Sequence, residues 1–427
     1  MRPRDRAKLV KREGHNRGLE WPPLVPLKRP CTGEEVTELP HPVNFTWPWT
    51  YSSEHLERAR CRLKGADVLF MSTWSGSEWQ HSYTMRASQV AKGLRRILGI
   101  EARVCMSSCT GCCAKLKQCA SEGRCRVPSV VVHIKGVCDC VVASFPRSEG
   151  VVHVLDPIDS YVLTPPLSSE DDAETSQTYR GISAILAETS LSAADYRSHP
   201  SVRSFGWQVF HLPHHHTNLA RRTIACDEKA DARVVGVHST QIDPNLEADV
   251  KNMLASRFPA VRFQRVNPSN LSGKSAEWSP NPVLWNDAKV GRMLDELLAF
   301  DVTIMKPNCY TPGDKETHVH QRWRSWLCER HHSGQRLVHA LAAGLPSVVW
   351  GASQGFVDAV GPSEVWPTAW NNSEVLHHLE ELLSNGTLRC SLSAEARRLA
   401  EPYHISKTVE RYALAFAALL EASSRVP

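Results

Sequence analysis

The run HHSGQRLVHALAAGLPSVVW, His331 to Trp350, sets a polar turn containing glycine ahead of a small-residue helix pattern and a hydrophobic strand. Ser333, Gly334 and Gln335 lead into that helix, whose first N–H groups and dipole favour an anion. Arg336 in the first turn, and Lys306 at the end of the strand DVTIMKP, can add positive charge. A pyrophosphate would need both kinds of partner. The alanines Ala340, Ala342 and Ala343 let the helix lie close on a sheet, Gly344 stops it, and Pro346 forbids its resumption. Plain helix-to-strand packing accounts for the alanines and the stop but not for the polar turn.

Where such a site falls depends on the elements around it. From Ala66 to Met106 the chain reads strand, polar loop, amphipathic helix and strand, which is a parallel unit with a right-handed crossover. Further β-branched runs follow at Val127–Lys135 and Glu149–Pro157, then GISAILAETS and WQVFHLPHHH. The same alternation restarts at Ala232–Ser239 and continues to a final helix, ISKTVERYALAFAALLEA. The fold class expected is therefore α/β, with two Rossmann-like, doubly wound domains facing one another across a cleft. The expected boundaries are a basic tail and proline-rich lead-in over 1–64 and a first domain over 65–216. A linker over 217–231 and a second domain over 232–404 follow, and the helix of 405–427 packs back on the first domain.

In open α/β sheets ligands bind beyond the carboxyl ends of the strands. That rule selects Gly236-Val237-His238-Ser239, Lys306-Pro307 and the His331–Arg336 turn in the second half, and Ser75-Gly76, His133-Ile134-Lys135, Asp156/Asp159 and His211–His216 in the first. An imidazole near an acceptor hydroxyl can serve as general base, which makes His81 and His133 the catalytic candidates. The three consecutive histidines His214–His216 point in different directions and suit a turn better than a metal.

The run G-x-x-L-V-x-A-L-A-A-G-L-P-S-V-V resembles the donor-site helix of GT-B-fold glycosyltransferases, which commonly show G-x-x-x-x-E-A-M-A-x-G-x-P-V-V. The resemblance implies two Rossmann-like domains, a nucleotide-sugar donor bound by the second, and a last helix crossing back to the first. Retaining members carry two glutamates where this chain has His331 and His339, and VGVHSTQID offers His238 where they place Arg and Lys. On this basis the donor would be held by His238, Lys306, His331, Ser333, Gly334, Gln335, Arg336 and His339. No D-x-D triplet ends a strand, so no metal and no further cofactor is expected. The expected function is transfer of a sugar from a nucleotide-sugar donor to a carbohydrate, lipid or protein acceptor. A sugar-nucleotide epimerase of the same fold and a non-catalytic glycan- or partner-binding protein are the alternatives.

Composition bounds this reading. At 42% hydrophobic and 22% charged, the 427-residue chain is globular and too long for one core. The net charge of +5 lies in the tail: residues 1–30 hold nine Lys/Arg against three Asp/Glu, leaving −1 for the rest, so nucleic acid is not an expected partner. No stretch approaches the ~20 apolar residues of a membrane span. The start, MRPRDRAKLVKREG, has no apolar core behind it, so a cytoplasmic location is expected. Four N-x-S/T sequons (Asn44, Asn270, Asn371, Asn385) and fourteen cysteines keep a secretory lumen as the alternative. Eight of those cysteines fall in 105–140, read as an insertion into the first domain. Their spacing leaves reduced thiols, disulfides and a metal all open.

Overall fold

A computed structural model describes residues 49–72, 84–105, 108–158, 161–163, 179–216, 226–238, 242–266, 297–307, 325–361 and 365–424. The described chain divides into two compact units. One takes the residues up to His214, Arg330–Ser333 and the chain from Ile405; the other takes the residues from His215 to Glu329 and Gly334–His404.

The first unit is built on a six-stranded parallel sheet of order β2-β1-β3-β4-β5-β6. Its strands are β1 Asp67–Ser72, β2 Glu101–Cys105, β3 Val130–Ile134, β4 Val152–Asp156, β5 Ala184–Ala187 and β6 Gln208–His211. Helices cover both faces, so the strands read as nearly unbroken apolar runs, and every residue of β3 is buried. Successive side chains still alternate. Val68, Phe70, Val130 and Val132 face α1 (Ser53–Arg62), α2 (84–98) and α12 (Ile405–Ser424). Leu69, Met71 and Val131 face α3 (Cys109–Ser121) and α4 (Asp139–Ser144). Leu155, Ile185 and Val209 face α5 (Ser190–Ser198) and α6 (Pro200–Phe205). The wide winding of most of α2, with one α turn at Val90–Gly93, has no counterpart in the sequence pattern.

The cysteine segment runs from the end of β2 through α3 and β3 to the start of α4. Ser108 caps α3 by accepting from the N–H of Gly111. Disulfides join Cys105 to Cys112, Cys109 to Cys138, and Cys119 to Cys125.

The second unit has a five-stranded parallel sheet of order β11-β10-β9-β7-β8. It comprises β7 Val234–His238, α7 Pro244–Arg257, β8 Arg262–Val266, β9 Val302–Met305, α8 Gln335–Ala342 and β10 Ser347–Trp350. After these come α9 Gln354–Val360, β11 Thr368–Ala369, α10 Asn372–Ser384 and α11 Gly386–Ala400. The helix expected over Val290–Phe300 lies mostly outside the described residues. Gly344, at φ 71°, ends α8 in the left-handed region, which a glycine adopts without a Cβ penalty. A disulfide between Cys226 and Cys390 ties the start of this unit to α11.

Numbered within its own unit, the first sheet runs 2-1-3-4-5-6 and the second 2-1-3-4-5. The strand order therefore reverses between β1 and β3 in one and between β7 and β9 in the other. Those are the positions at which doubly wound sheets bind ligands.

Candidate functional site

At the switch point of the second sheet, β7 ends in His238 and β9 runs into Lys306. The Lys306 ammonium is a hub: it lies 3.0 Å from Asp243 Oδ2 and 3.1 Å from Asn372 Oδ1, and 4.2 Å above the Trp350 ring. Asp243 is also the N-cap of α7 and accepts from the N–H of Asn245 at 3.0 Å. Burial would raise Asp243, but the hydrogen bond and charge of Lys306 outweigh it and hold the carboxyl below its usual range. Charge, aromatic face and amide thus converge at the carboxyl ends of β9 and β10.

Beside them in the chain, α8 begins at Gly334, a residue with no side chain of its own to cap the first N–H groups. Gly334 is required for packing as well, because a Cβ there would lie 2.1 Å from the carbonyl oxygen of Gly355. Gln335 and Arg336 are half-buried in the first turn, and His339 is buried one turn further on. His339 acts on His216, which also stacks edge-on with His404 at 5.4 Å.

His331 and Ser333 go elsewhere. Both belong with the first unit, where Arg330 grips Asp195 with two bonds of 2.7 and 2.6 Å and His331 Nε2 lies 3.2 Å from Asp195 Oδ2. The Thr189 hydroxyl, which caps α5, also donates to the Arg330 carbonyl. The His331 ring meets Tyr161 edge-on at 4.8 Å, and Tyr161 stacks on Tyr196. Burial works to raise Asp195, yet the bonds from Arg330 and His331 bring it below its usual range. Expected among the donor residues of the second domain, His331 is instead held in the first unit by a carboxylate.

The carboxyl ends of β4, β5 and β6 carry a second polar group of residues. Arg86, from α2, pairs with Asp156 at 2.7 Å with both side chains fully buried, and donates to the carbonyls of Leu212 and Pro213. Tyr412, from α12, donates to the same Asp156 oxygen at 3.2 Å. Burial alone would favour a neutral Arg86, but Asp156 keeps the guanidinium charged. Next to β5 and β6, Glu188 Oε1 and His214 Nε2 are 2.6 Å apart, both almost wholly buried, although the contact is not aligned as a hydrogen bond. Among the described residues, Arg86 Nη2, Asp156 Oδ1 and His214 Nδ1 have no hydrogen-bond partner. Buried polar atoms of this kind ordinarily have one. An arrangement of cation, carboxylate and imidazole with spare hydrogen-bonding capacity suits a hydroxylated ligand.

His133, expected as a catalytic base, has a different task. The Cys138 N–H donates to its Nδ1 at 3.1 Å, its Nε2 lies 3.0 Å from His153 Nδ1, and His153 Nε2 lies 2.7 Å from the Phe145 carbonyl. Only neutral rings satisfy this chain, with His133 donating to His153 and His153 to Phe145. Burial pushes both imidazoles below their usual range. No ring nitrogen of His133 is left to move a proton, so its role is to join β3, β4 and α4. His81 lies outside the described residues.

Asp156 is a strand-end residue that the rule for open sheets selects, and Glu188 carried the same signal, since it directly follows the apolar strand β5. Asp195 and Arg330 carried none, being 135 positions apart. The metal-sized grouping among the described residues is Cys109, Cys138 and Cys140, and two of those are joined in a disulfide. That leaves one thiol, too few for a thiolate metal site.

No protein-family model matches the sequence, and no curated protein is similar to it. Solved structures are. The chain is similar to sucrose-phosphate synthase from Thermosynechococcus elongatus, with a TM-score of 0.52 at 11% identity over 83% of this chain and 100% of that one. It is also similar to a glycosyltransferase from Rickettsia africae ESF-5, with a TM-score of 0.51 at 9% identity over 85% of this chain and 100% of that one. At these identities the likeness shows the fold, and the fold is GT-B. No described helix is long and apolar enough to cross a membrane.

Proposed function

We propose that this chain is a glycosyltransferase that binds a nucleotide-sugar donor through its second unit and transfers the sugar to an acceptor hydroxyl. The observation that carries the reading is Lys306 at the switch point of the second sheet, with the Gly334 start of α8 and Arg336 following in the same unit. The leaving group is a diphosphate. Lys306, Arg336 and the N-terminal N–H groups of α8 would stabilise the charge developing on it, and His238, Gln335 and His339 would complete the donor contacts. In the first unit Glu188 can orient His214 through Nε2, leaving Nδ1 to take the proton of the acceptor hydroxyl. Arg86 and Asp156 would bind neighbouring hydroxyls. His331 and Ser333 would act by holding the approach to α8 rather than by touching phosphate. The charge stabilisation is supplied by side chains and backbone, so a chelator should leave activity unchanged.

The cysteines bear on the compartment. Ten described cysteines are disulfide-bonded, which favours the secretory lumen over the cytoplasm expected from the N-terminal sequence.

Incubation with UDP-, GDP- and CMP-sugars and a set of carbohydrate acceptors tests the activity, with free nucleotide and new product scored separately. A transferase yields both, an epimerase yields an altered sugar nucleotide, and a binding protein yields neither.

A further inference from the structure

Four sulfurs of the cysteine segment meet between α3 and α4. Cys109, the first residue of α3, is bonded to Cys138, just before α4. Cys140 Sγ lies 3.5 Å from Cys109 Sγ and 3.6 Å from Cys138 Sγ. Cys113 follows Cys109 by one turn on the same helix face, is buried, and acts electrostatically on the Cys140 thiol. Ser144 touches both: its Oγ lies 3.7 Å from Cys113 Sγ and donates to the Cys140 carbonyl at 2.5 Å. Cys113 and Cys140 are the two free thiols among the described residues. Cys140 is the accessible one. It lines a surface cavity of about 580 Å³ with Lys117, Ala120, Ala143, Ser144 and Phe145.

We propose that Cys140 and Cys113 are an attacking and a resolving thiol, and that the cavity admits a small disulfide carrying carboxylates. Lys117 on the cavity wall supplies the complementary charge. The Cys140 thiolate attacks one sulfur of the small disulfide, forming a mixed disulfide and releasing one small thiol. The Cys113 thiolate then attacks Cys140 Sγ, forming the Cys113–Cys140 bond and releasing the second. Two protein thiols are oxidised and one small disulfide is reduced to two thiols, so the electrons balance. Cys109 and Cys138 cannot resolve the intermediate, because each already lacks a thiol. Burial and then the Cys113 thiol push Cys140 up to about 11, against a smaller lowering by its backbone and by Lys117. The reaction is therefore slow at neutral pH and quickens as pH rises. The new bond would staple α3 to α4 across one face of β1 and β3. This inference stands apart from the glycosyltransferase reading.

The test is incubation of the full chain with glutathione disulfide, acid quenching, alkylation of the remaining thiols after unfolding, and peptide mapping. The wild type should lose both alkylatable thiols and give a peptide linked through Cys113 and Cys140. Cys113→Ser should stop at glutathione on Cys140, and Cys140→Ser should leave Cys113 fully alkylatable. The wild-type mapping decides the matter even where a variant fails to fold. Glutathione persisting on wild-type Cys140 beside a free Cys113, Cys140 linked to Cys109 or Cys138, or two unreacted thiols would each overturn the proposal.

Discussion

The ammonium of Lys306 rests 3.0 Å from a carboxylate oxygen of Asp243, so the cation at the switch point of the second sheet is held by an anion that a diphosphate would displace. The two partners should therefore respond oppositely to substitution. Lys306→Ala should weaken nucleoside diphosphate binding by about 1.5–3 kcal/mol, the range for a hydrogen bond to a charged group. Asp243→Asn keeps an oxygen to cap α7 and frees the lysine, so binding should tighten severalfold. Calorimetric titration measures both. Equal weakening in the two variants would mean that Asp243 positions Lys306 for the ligand rather than competing with it.

His133→Ala should cost about 2–4 kcal/mol of stability, because it strands the Cys138 N–H and His153 Nδ1 inside the protein. Turnover per folded molecule should be unchanged. A large loss of turnover at full stability would return His133 to the catalytic role read from its strand end.

Much of the fold was legible for a physical reason. Parallel strands covered on both faces need apolar residues at every position, so Val130–Ile134 and Ala184–Ala187 announced themselves as unbroken runs. The stop at Gly344 and Pro346 was legible because a left-handed residue and a missing N–H leave a helix no continuation. The site was less so. Strand ends located Lys306 and Asp156, but nothing local says that Arg330 will reach back to Asp195 and carry His331 into the first unit. Nor does a histidine at a strand end show whether its ring meets water or, like His133, another buried ring. Cysteine spacing fixes no connectivity, which is why reduced thiols, disulfides and, behind them, a metal all stayed open until the sulfurs were placed.

Acid should unfold this protein through its buried imidazoles. Burial, with His404 and His339 adding to it, pushes His216 down to about 3, whereas an unfolded imidazole titrates near ~6.5. Because the folded value is depressed, the stability contribution is whole above about pH 6.5 and is lost as pH falls toward about 3. Urea midpoints between pH 6.5 and 4 should fall, with His133 and His153 contributing in the same direction. His216→Gln should remove about 1.4 kcal/mol per pH unit from that slope, one proton's worth. An unchanged slope would show that His216 is not held neutral.

Gly334→Ala should lower the thermal midpoint, costing about 1–3 kcal/mol, since the added methyl would press on the Gly355 carbonyl and force α8 and α9 apart. Thermal unfolding of the unliganded variant reads this directly. An unchanged midpoint would leave the glycine without a packing role.

Nucleotide binding by Arg336→Ala tests the donor site most directly. A cation in the first turn of α8 opposes the helix dipole, and a bound pyrophosphate reverses that penalty by sharing its charge between guanidinium and N–H groups. With UDP, GDP and CMP as probes, wild-type protein should bind at least one, and Arg336→Ala should bind it more weakly by about 1.5–3 kcal/mol. Its thermal midpoint without ligand should stay unchanged or rise slightly. If the variant binds every nucleotide as tightly as wild type, or wild type binds none, the donor site is not at the start of α8.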